Sequence, residues 1–269
     1  MPPTDSTRKV SRHQWFSQGD PVIDEDYVTE EEPLEIRIAQ IPLAVVMRTP
    51  GHDKELARGF ALTEGIVSKN SAIQRISHCT IGEQGDNIIQ IVLAPGVDFD
   101  SKKFSRQLYS TSSCGICGKR SIEQAMREAA PLAHRCSFHA AIFATAVENL
   151  RNHQPVFART GSLHAAALIT PQGEFICVRE DIGRHNAVDK VIGHLLHAGS
   201  LQRELALIVS GRVSYDIVQK ALAASISYLV AVGGVSTLAI DLAERSQITL
   251  IGFASQHKLS IYTHPQQLR

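Results

Sequence analysis

The stretch LALIVSGRVSYDIVQKALAAS, residues 205–225, decides the fold class. Its first residues, LALIVS, are apolar on both faces, as strands buried inside a covered sheet are. Ser-Gly-Arg interrupts the run, and SYDIVQKALAAS then reads as a helix. The same alternation extends in both directions from Pro155 onward. VFARTG, HAAALITP and EFICVRE read as strands, and NAVDKVIGHLLHA is the helix that follows them. LVAVGG is followed by the helix STLAIDLAERS, and ITLIGFAS ends the series. An α/β sandwich is the expected architecture.

Upstream the texture differs. SIEQAMREAA, residues 121–130, predicts a helix with Ser121 and Gln124 in a capping-box pattern and Pro131 beyond its end. AAIFATAVENLRNH predicts a second. The first twenty residues are polar and aperiodic and are read as a flexible arm, residues 1–20. The acidic DEDYVTEEEPLE follows, then the alternating run IRIAQIPLAVVMRTP, which reads as strands. HDKELARGFALTEGIV places Leu56, Phe60 and Leu62 near helical spacing, with Gly65 as its stop. NIIQIVLAPGV is a further strand ending at a Pro-Gly turn. Residues 21–108 are therefore expected to form a small α+β unit, and residues 109–269 the larger α/β domain.

Bulk composition narrows the function classes. With 269 residues, 43% hydrophobic and 20% charged, the chain has the profile of a soluble globular protein. Lys plus Arg equals Asp plus Glu at 27 each, so no global field points to nucleic acid or membrane. Any anion site must be local. The opening MPPTDSTRKVSRHQWFSQGD has no apolar signal core, and no run is long enough to span a bilayer, so a cytoplasmic location is expected. Five cysteines (Cys79, Cys114, Cys117, Cys136 and Cys177) are few and odd in number, which argues against a secreted disulfide framework.

The chemistry concentrates in SSCGICGKR, residues 112–120. Lys119, Arg120 and the N-terminus of the following helix favour the thiolate of Cys114 or Cys117, and the glycines leave the sulfurs accessible. Such a thiolate could hold a transferable sulfane sulfur as a persulfide, with the second cysteine assisting release. A rival reading adds Cys136 and His139, giving C-x2-C-x18-C-x2-H, close to a structural zinc spacing. Spacing alone weighs the two equally. A thioredoxin-like pair fits less well, because no strand leads into the motif and its usual proline is absent. Cys79 and Cys177 sit in apolar strands and are read as inert core thiols.

Charged and small residues also gather where the predicted strands end, the place at which open α/β sheets hold ligands. REDIGRHN, residues 179–186, supplies Arg184 and His185; taken singly, its members read as an N-cap, Asp181, and solvated charges. SGRVS, residues 210–214, offers Ser210, Gly211 and Arg212 at a helix start, an anion cradle of N–H groups, hydroxyl and guanidinium. GGVST repeats the arrangement, and FASQHK, residues 253–258, adds amide, imidazole and ammonium donors. His164, at a glycine turn, is a further candidate. Together these ends imply a phosphate-bearing, nucleotide-like ligand.

In this order RTPGHDKELARGFALTEGI, SSCGICGK, TGSLHAAAL, REDIGRHNAVDKVIG, SGRVSYDIVQKA and GFASQHKLSIYTH resemble the FdhD family, from about residue 20 to the end. The resemblance implies a cytidine-deaminase-like fold for the C-terminal part and a cytoplasmic homodimer. It implies a sulfurtransferase that accepts sulfane sulfur from a cysteine desulfurase. The sulfur then passes to the molybdenum bis(molybdopterin guanine dinucleotide) cofactor before insertion into apo formate dehydrogenase. By position, Cys114 matches the persulfide carrier and Cys117 the second cysteine. Phe253, Ala254, Ser255, Gln256, His257 and Lys258 match the cofactor-binding stretch. Arg184, His185, Ser210 and Arg212 are expected to share that crevice, with GDP as a partial mimic and two crevices related by a dimer axis. The resemblance argues against a permanent metal. A zinc deaminase would need H-x-E and P-C-x-x-C, whereas Ala165 and Ala166 follow His164 and Ser113 precedes Cys114. The remaining alternative is a zinc-stabilised nucleotide-binding module built on Cys114, Cys117, Cys136 and His139.

Overall fold

The structure is a computed structural model that describes residues 6–79, 85–99, 131–132, 137–201 and 204–269. It begins with an antiparallel ribbon, β1 (Thr7–Gln14) and β2 (Val22–Thr29), paired from Thr7↔Thr29 to Gln14↔Val22. The sequence reading gave residues 1–20 no regular structure, and residues 7–14 depart from it. The cross-strand pairs are ionic rather than apolar: Arg12 binds Asp24 at 2.8 Å and Asp26 at 2.5 Å, and Lys9 pairs with Glu25. A strand with both faces in water has no hydrophobic alternation to betray it.

The predicted run of strands is a hairpin, β3 (Glu32–Ile38) and β4 (Ile41–Arg48). Ala39 and Gln40 turn it with φ of 46° and 69°. Both central residues of such a two-residue loop must be left-handed. Helix α1 (Asp53–Thr63) follows, and the chain leaves it through Gly65 at φ 72°. Strands β5 (Ile73–His78) and β6 (Ile88–Leu93) complete a four-stranded sheet of order β4-β3-β6-β5.

Next come α2 (Ala140–Asn149) and the short helix α3 (Pro155–Thr160). The latter corrects the strand expected at VFARTG. Pro155 occupies the first turn, where its missing N–H costs nothing. The carboxylate of Glu180 accepts the free N–H groups of Val156 and Phe157 at 3.1 and 2.7 Å. The helix is thus capped by a side chain distant in sequence.

The remaining elements follow the predicted alternation: β7 (His164–Ile169), β8 (Phe175–Asp181), α4 (Arg184–His197), β9 (Ala206–Val209), α5 (Tyr215–Ala223), β10 (Tyr228–Ala231), α6 (Thr237–Arg245) and β11 (Thr249–Ser255). An edge strand, β12 (Lys258–Ile261), closes a six-stranded sheet of order β12-β11-β10-β9-β7-β8. Helices lie on both faces, giving the expected α/β sandwich. In β9, Leu207 and Val209 join the apolar cluster of α1, α4, α5 and α6, while Ala206 and Ile208 join Phe138 and Phe143 on the α2 side. That division explains why LALIVS is apolar on both faces.

Leu34, Ile36 and Ile89 of the small sheet belong to the same cluster as Val191 and Leu207 of the large domain. Helices α1 and α4 join the two sheets by close crossing. A Cβ on Gly59 would lie 1.9 Å from the carbonyl oxygen of Asp189, and one on Gly193 only 1.8 Å from that of Glu55. Only glycine admits backbones this near each other. Among the described residues no helix is long and apolar enough to cross a membrane.

Candidate functional site

Strands β9, β10 and β11 run parallel, β7 runs against β9, and β8 runs against β7. The C-terminal ends of β8, β9, β10 and β11 therefore share one edge with the N-terminal end of β7. Of the residues singled out in the sequence, His164, Ser210, Ala254, Ser255 and Gln256 lie together along this edge.

Its floor is a set of loops joined through their backbones. Ser210 extends the β7–β9 pairing: its N–H donates to the Ala165 carbonyl at 2.9 Å, and its Oγ accepts the Ala165 N–H at 2.8 Å. The hydroxyl proton of Ser210 remains the group available to a ligand. Val213 N–H donates to Gly234 O, Ser236 N–H to Val213 O and Phe253 N–H to Gly233 O, at 2.9, 3.0 and 2.9 Å. A Cβ on Gly234 would meet the Phe253 ring at 2.9 Å, so that ring lies flush on the loop after β10 while 54% of the residue stays exposed.

Above this floor is a cavity of about 630 Å³. His164, Ser210 and the segment Ala254, Ser255 and Gln256 line one side; Arg151 and Gln154, beyond α2, line the other. Gly211 lets His164 and Arg184 pack close to the loop, since a Cβ there would sit 3.3 Å from His164 Nδ1 and 3.6 Å from Arg184 Cδ. Burial first, then the charges of Arg184 and His185, lower the pKa of His164, with Asp181 opposing. The shift favours the neutral imidazole, in a positive field that an arriving anion would offset.

Two buried side-chain nitrogens near this edge make no hydrogen bond among the described residues, and neither residue lines the cavity. His185 is 4% exposed, and its Nε2, 3.7 Å from Asp216 Oδ2, makes no hydrogen bond among the described residues; Arg184 Nε is likewise buried and unbonded.

Other expectations are revised. Helix α5 starts at Tyr215, so Ser210 to Arg212 form a strand-end loop rather than a helix N-terminus, and Val213 spends its N–H on Gly234. FASQHK does not follow the last strand: Phe253 to Ser255 end β11, Gln256 and His257 turn, and Lys258 opens β12. His257 and Lys258 are exposed and do not line the cavity, and Arg212 is also exposed. Cys114, Cys117 and Cys136, with the predicted helix at 121–130, lie outside the described residues. His139 is exposed just before α2. Cys177 is buried, and burial pushes its thiol up to about 12, as an inert core thiol requires; Cys79 is only half-buried.

The charges of REDIGRHN that read as solvated are internal ties. Asp181 is fully buried, accepts the N–H of Gly183 at 2.8 Å and pairs with Lys190 at 2.7 Å. Lys190 also donates to the Thr49 carbonyl at 3.0 Å. Arg179 forks onto Glu55 at 2.6 and 2.8 Å. These contacts fix the start of α4, and with it Arg184 and His185, to the loop before α1. Local sequence carries no signal for such long-range pairing.

Known proteins match most or nearly all of this chain. Over 98% of both chains, the sequence is 41% identical to a protein of Mycolicibacterium paratuberculosis called sulfur carrier protein FdhD. A protein of the same name from Streptomyces avermitilis is 44% identical over 88% of this chain and 87% of its own. A crystal structure from Desulfotalea psychrophila, of a protein described as a formate dehydrogenase accessory protein, has the same fold. Its TM-score is 0.75 over 98% of this chain and 99% of that one, at 21% identity. The FdhD/NarQ family model matches residues 29–269, so the chain belongs to the FdhD/NarQ family.

Proposed function

We propose that the protein is a sulfur carrier serving formate dehydrogenase. Cys114 takes sulfane sulfur from a cysteine desulfurase as a persulfide, and Cys117 assists its release. The receiving substrate is the molybdenum bis(molybdopterin guanine dinucleotide) cofactor, held at the strand-end crevice before it enters the apoenzyme. The observation that carries this reading is the crevice itself: a cavity of about 630 Å³ at the strand-end edge, lined by His164, Ser210 and Ala254 to Gln256. Phosphates of a dinucleotide would suit the hydroxyl, amide and guanidinium groups of this lining, and the guanidinium of Arg151 can grip them in pairs. The names of the relatives support the sulfur role.

The test is mass spectrometry of the intact protein after incubation with a desulfurase and cysteine, alongside zinc analysis. One added sulfur on the Cys114 peptide, lost in Cys114→Ala with the fold intact, is expected. Stoichiometric zinc released on thiol blocking, with no persulfide, would instead establish the zinc-stabilised module.

A further inference from the structure

Apart from the strand ends, the cavity is lined by a row of polar side chains at three-residue spacing. Glu148 stands in the last turn of α2, Arg151 in the 3-10 turn Leu150–His153, and Gln154 just beyond it. All three line the cavity. Residues three apart share a face in an α-helix and eclipse one another in a 3-10 turn. The Gln154 N–H donates to the Arg151 carbonyl at 3.2 Å, which carries that geometry to the end of the row. Val147, Leu150 and Phe157 supply the apolar surface around it.

None of the three side chains is engaged elsewhere. Gln154 is 4% exposed, yet its carboxamide makes no hydrogen bond among the described residues. Buried amides are nearly always satisfied, so one that lines a cavity without a partner points to a polar occupant. Glu148 and Arg151 form no ion pair with each other or with any other described residue.

The carboxylate says what the occupant carries. Phosphate suits Arg151 and the free hydroxyl proton of Ser210, but a carboxylate repels it. Glu148 therefore needs a part of the ligand that donates. An ionised carboxylate only accepts, and its two oxygens side by side match two adjacent N–H donors. Among the nucleobases guanine alone presents them, as N1–H beside the N2 amino group. Adenine and cytosine set their amino group next to a bare ring nitrogen, and uracil has one N–H between two carbonyls. Gln154 cannot make this choice, because a carboxamide both donates and accepts and matches adenine as well as guanine.

We propose that Glu148 selects guanine by accepting N1–H and the N2 amino group, while Arg151 holds the phosphate of the same nucleotide. The inference rests on the reading of the crevice as a dinucleotide site and adds the residue that reads the base.

The test is calorimetric titration of the full-length protein with GDP, IDP and ADP, which share their ribose and diphosphate. IDP differs from GDP only in lacking the N2 amino group. The wild type should bind GDP at least about tenfold tighter than ADP, with IDP between them. Glu148→Gln should weaken GDP and bring the three within about threefold of one another. Arg151→Ala should weaken all three by a similar factor and keep their order. Glu148 is exposed, so the circular dichroism of its variant should match wild type. A GDP preference that survives Glu148→Gln, or no preference in the wild type, overturns the proposal. So does an equal gain for all three nucleotides in Glu148→Gln, which would mean that the carboxylate meets phosphate rather than base. A wild type that binds none of them defeats the reading of the crevice, and the proposal with it, before any variant is compared.

Discussion

The ammonium of Lys190 lies 2.7 Å from Oδ2 of Asp181, and 1% and 0% of the two side chains are exposed. The pair is the joint between the loop before α1 and the start of α4. Asp181 also accepts from Asn186 at 2.9 Å, and Asn186 in turn reaches the Met47 carbonyl at 2.7 Å. Asp181→Ala strands a buried ammonium, and denaturant melts should show a loss of about 3–5 kcal/mol. Asp181→Ala with Lys190→Met removes both charges and should recover a substantial part of that loss. A double variant as unstable as the single one would mean that the hydrogen bonds, rather than the unpaired charge, dominate.

Glu55 gathers Arg179 at 2.6 Å, His194 at 3.0 Å and His52 at 3.3 Å. Burial alone would raise its pKa; the hydrogen bonds from Arg179 and the two histidines outweigh it and hold the carboxyl far below its ordinary 4.5. A carboxylate depressed in the folded state stabilises above its unfolded pKa, and that contribution is lost as pH falls toward the folded value. Glu55→Gln should therefore cost about 1–3 kcal/mol at pH 7. The gap to wild type should narrow as pH falls below 4.5. Chemical denaturation of both proteins at pH 7 and at steps well below 4.5 measures this, and a gap that widens on acidification would contradict it.

The crossing of α1 over α4 leaves no room for a methyl group at Gly59, because the nearest atom is the Asp189 carbonyl oxygen, which is backbone and cannot swing aside. Gly59→Ala should separate the helices and destabilise by about 3 kcal/mol, despite alanine's better helix propensity. The same separation would disturb the Thr63–Asp189–Lys220 contacts, now 2.7–2.9 Å long. A thermal melt showing a stabilised Gly59→Ala protein would exclude this close packing.

What the sequence disclosed depended on how local its causes were. Strand β9 and helix α5 were legible because each is buried along its own length, and burial writes itself into adjacent residues. The ribbon was not, because its order rests on ion pairs such as Arg12 with Asp24, twelve residues away. Helix α3 was misread because Glu180, its cap, lies 24 residues beyond Val156. The strand-end edge holding His164, Ser210 and Ala254 followed from the alternation of strands and helices. The internal roles of Arg179, Glu180 and Asp181 did not, since a buried paired charge and a solvated one look alike in sequence.

The crevice should bind GDP as a partial mimic of the cofactor, and its pH dependence follows from His164. Burial and the nearby Arg184 and His185 hold that imidazole below 6.5 in the free protein. A phosphate entering the cavity adds negative charge and raises it. A group whose pKa rises on binding takes up a proton with the ligand, by the same linkage that governs folding. GDP affinity should thus strengthen as pH falls through the bound-state pKa and level off below the free-state value. Calorimetry in buffers of different ionisation heat should report proton uptake between the free-state and bound-state pKa values, abolished in His164→Gln. Arg212→Ala with Lys258→Ala should weaken GDP roughly tenfold at low salt, and less at high salt, where screening already weakens both contacts. Arg212 in the strand-end loop and Lys258 at the start of β12 are both exposed and outside the cavity lining, so the loss measures attraction of the anion rather than a contact inside the cavity. Proton release on binding, or unchanged affinity in the double variant, would place the phosphate elsewhere.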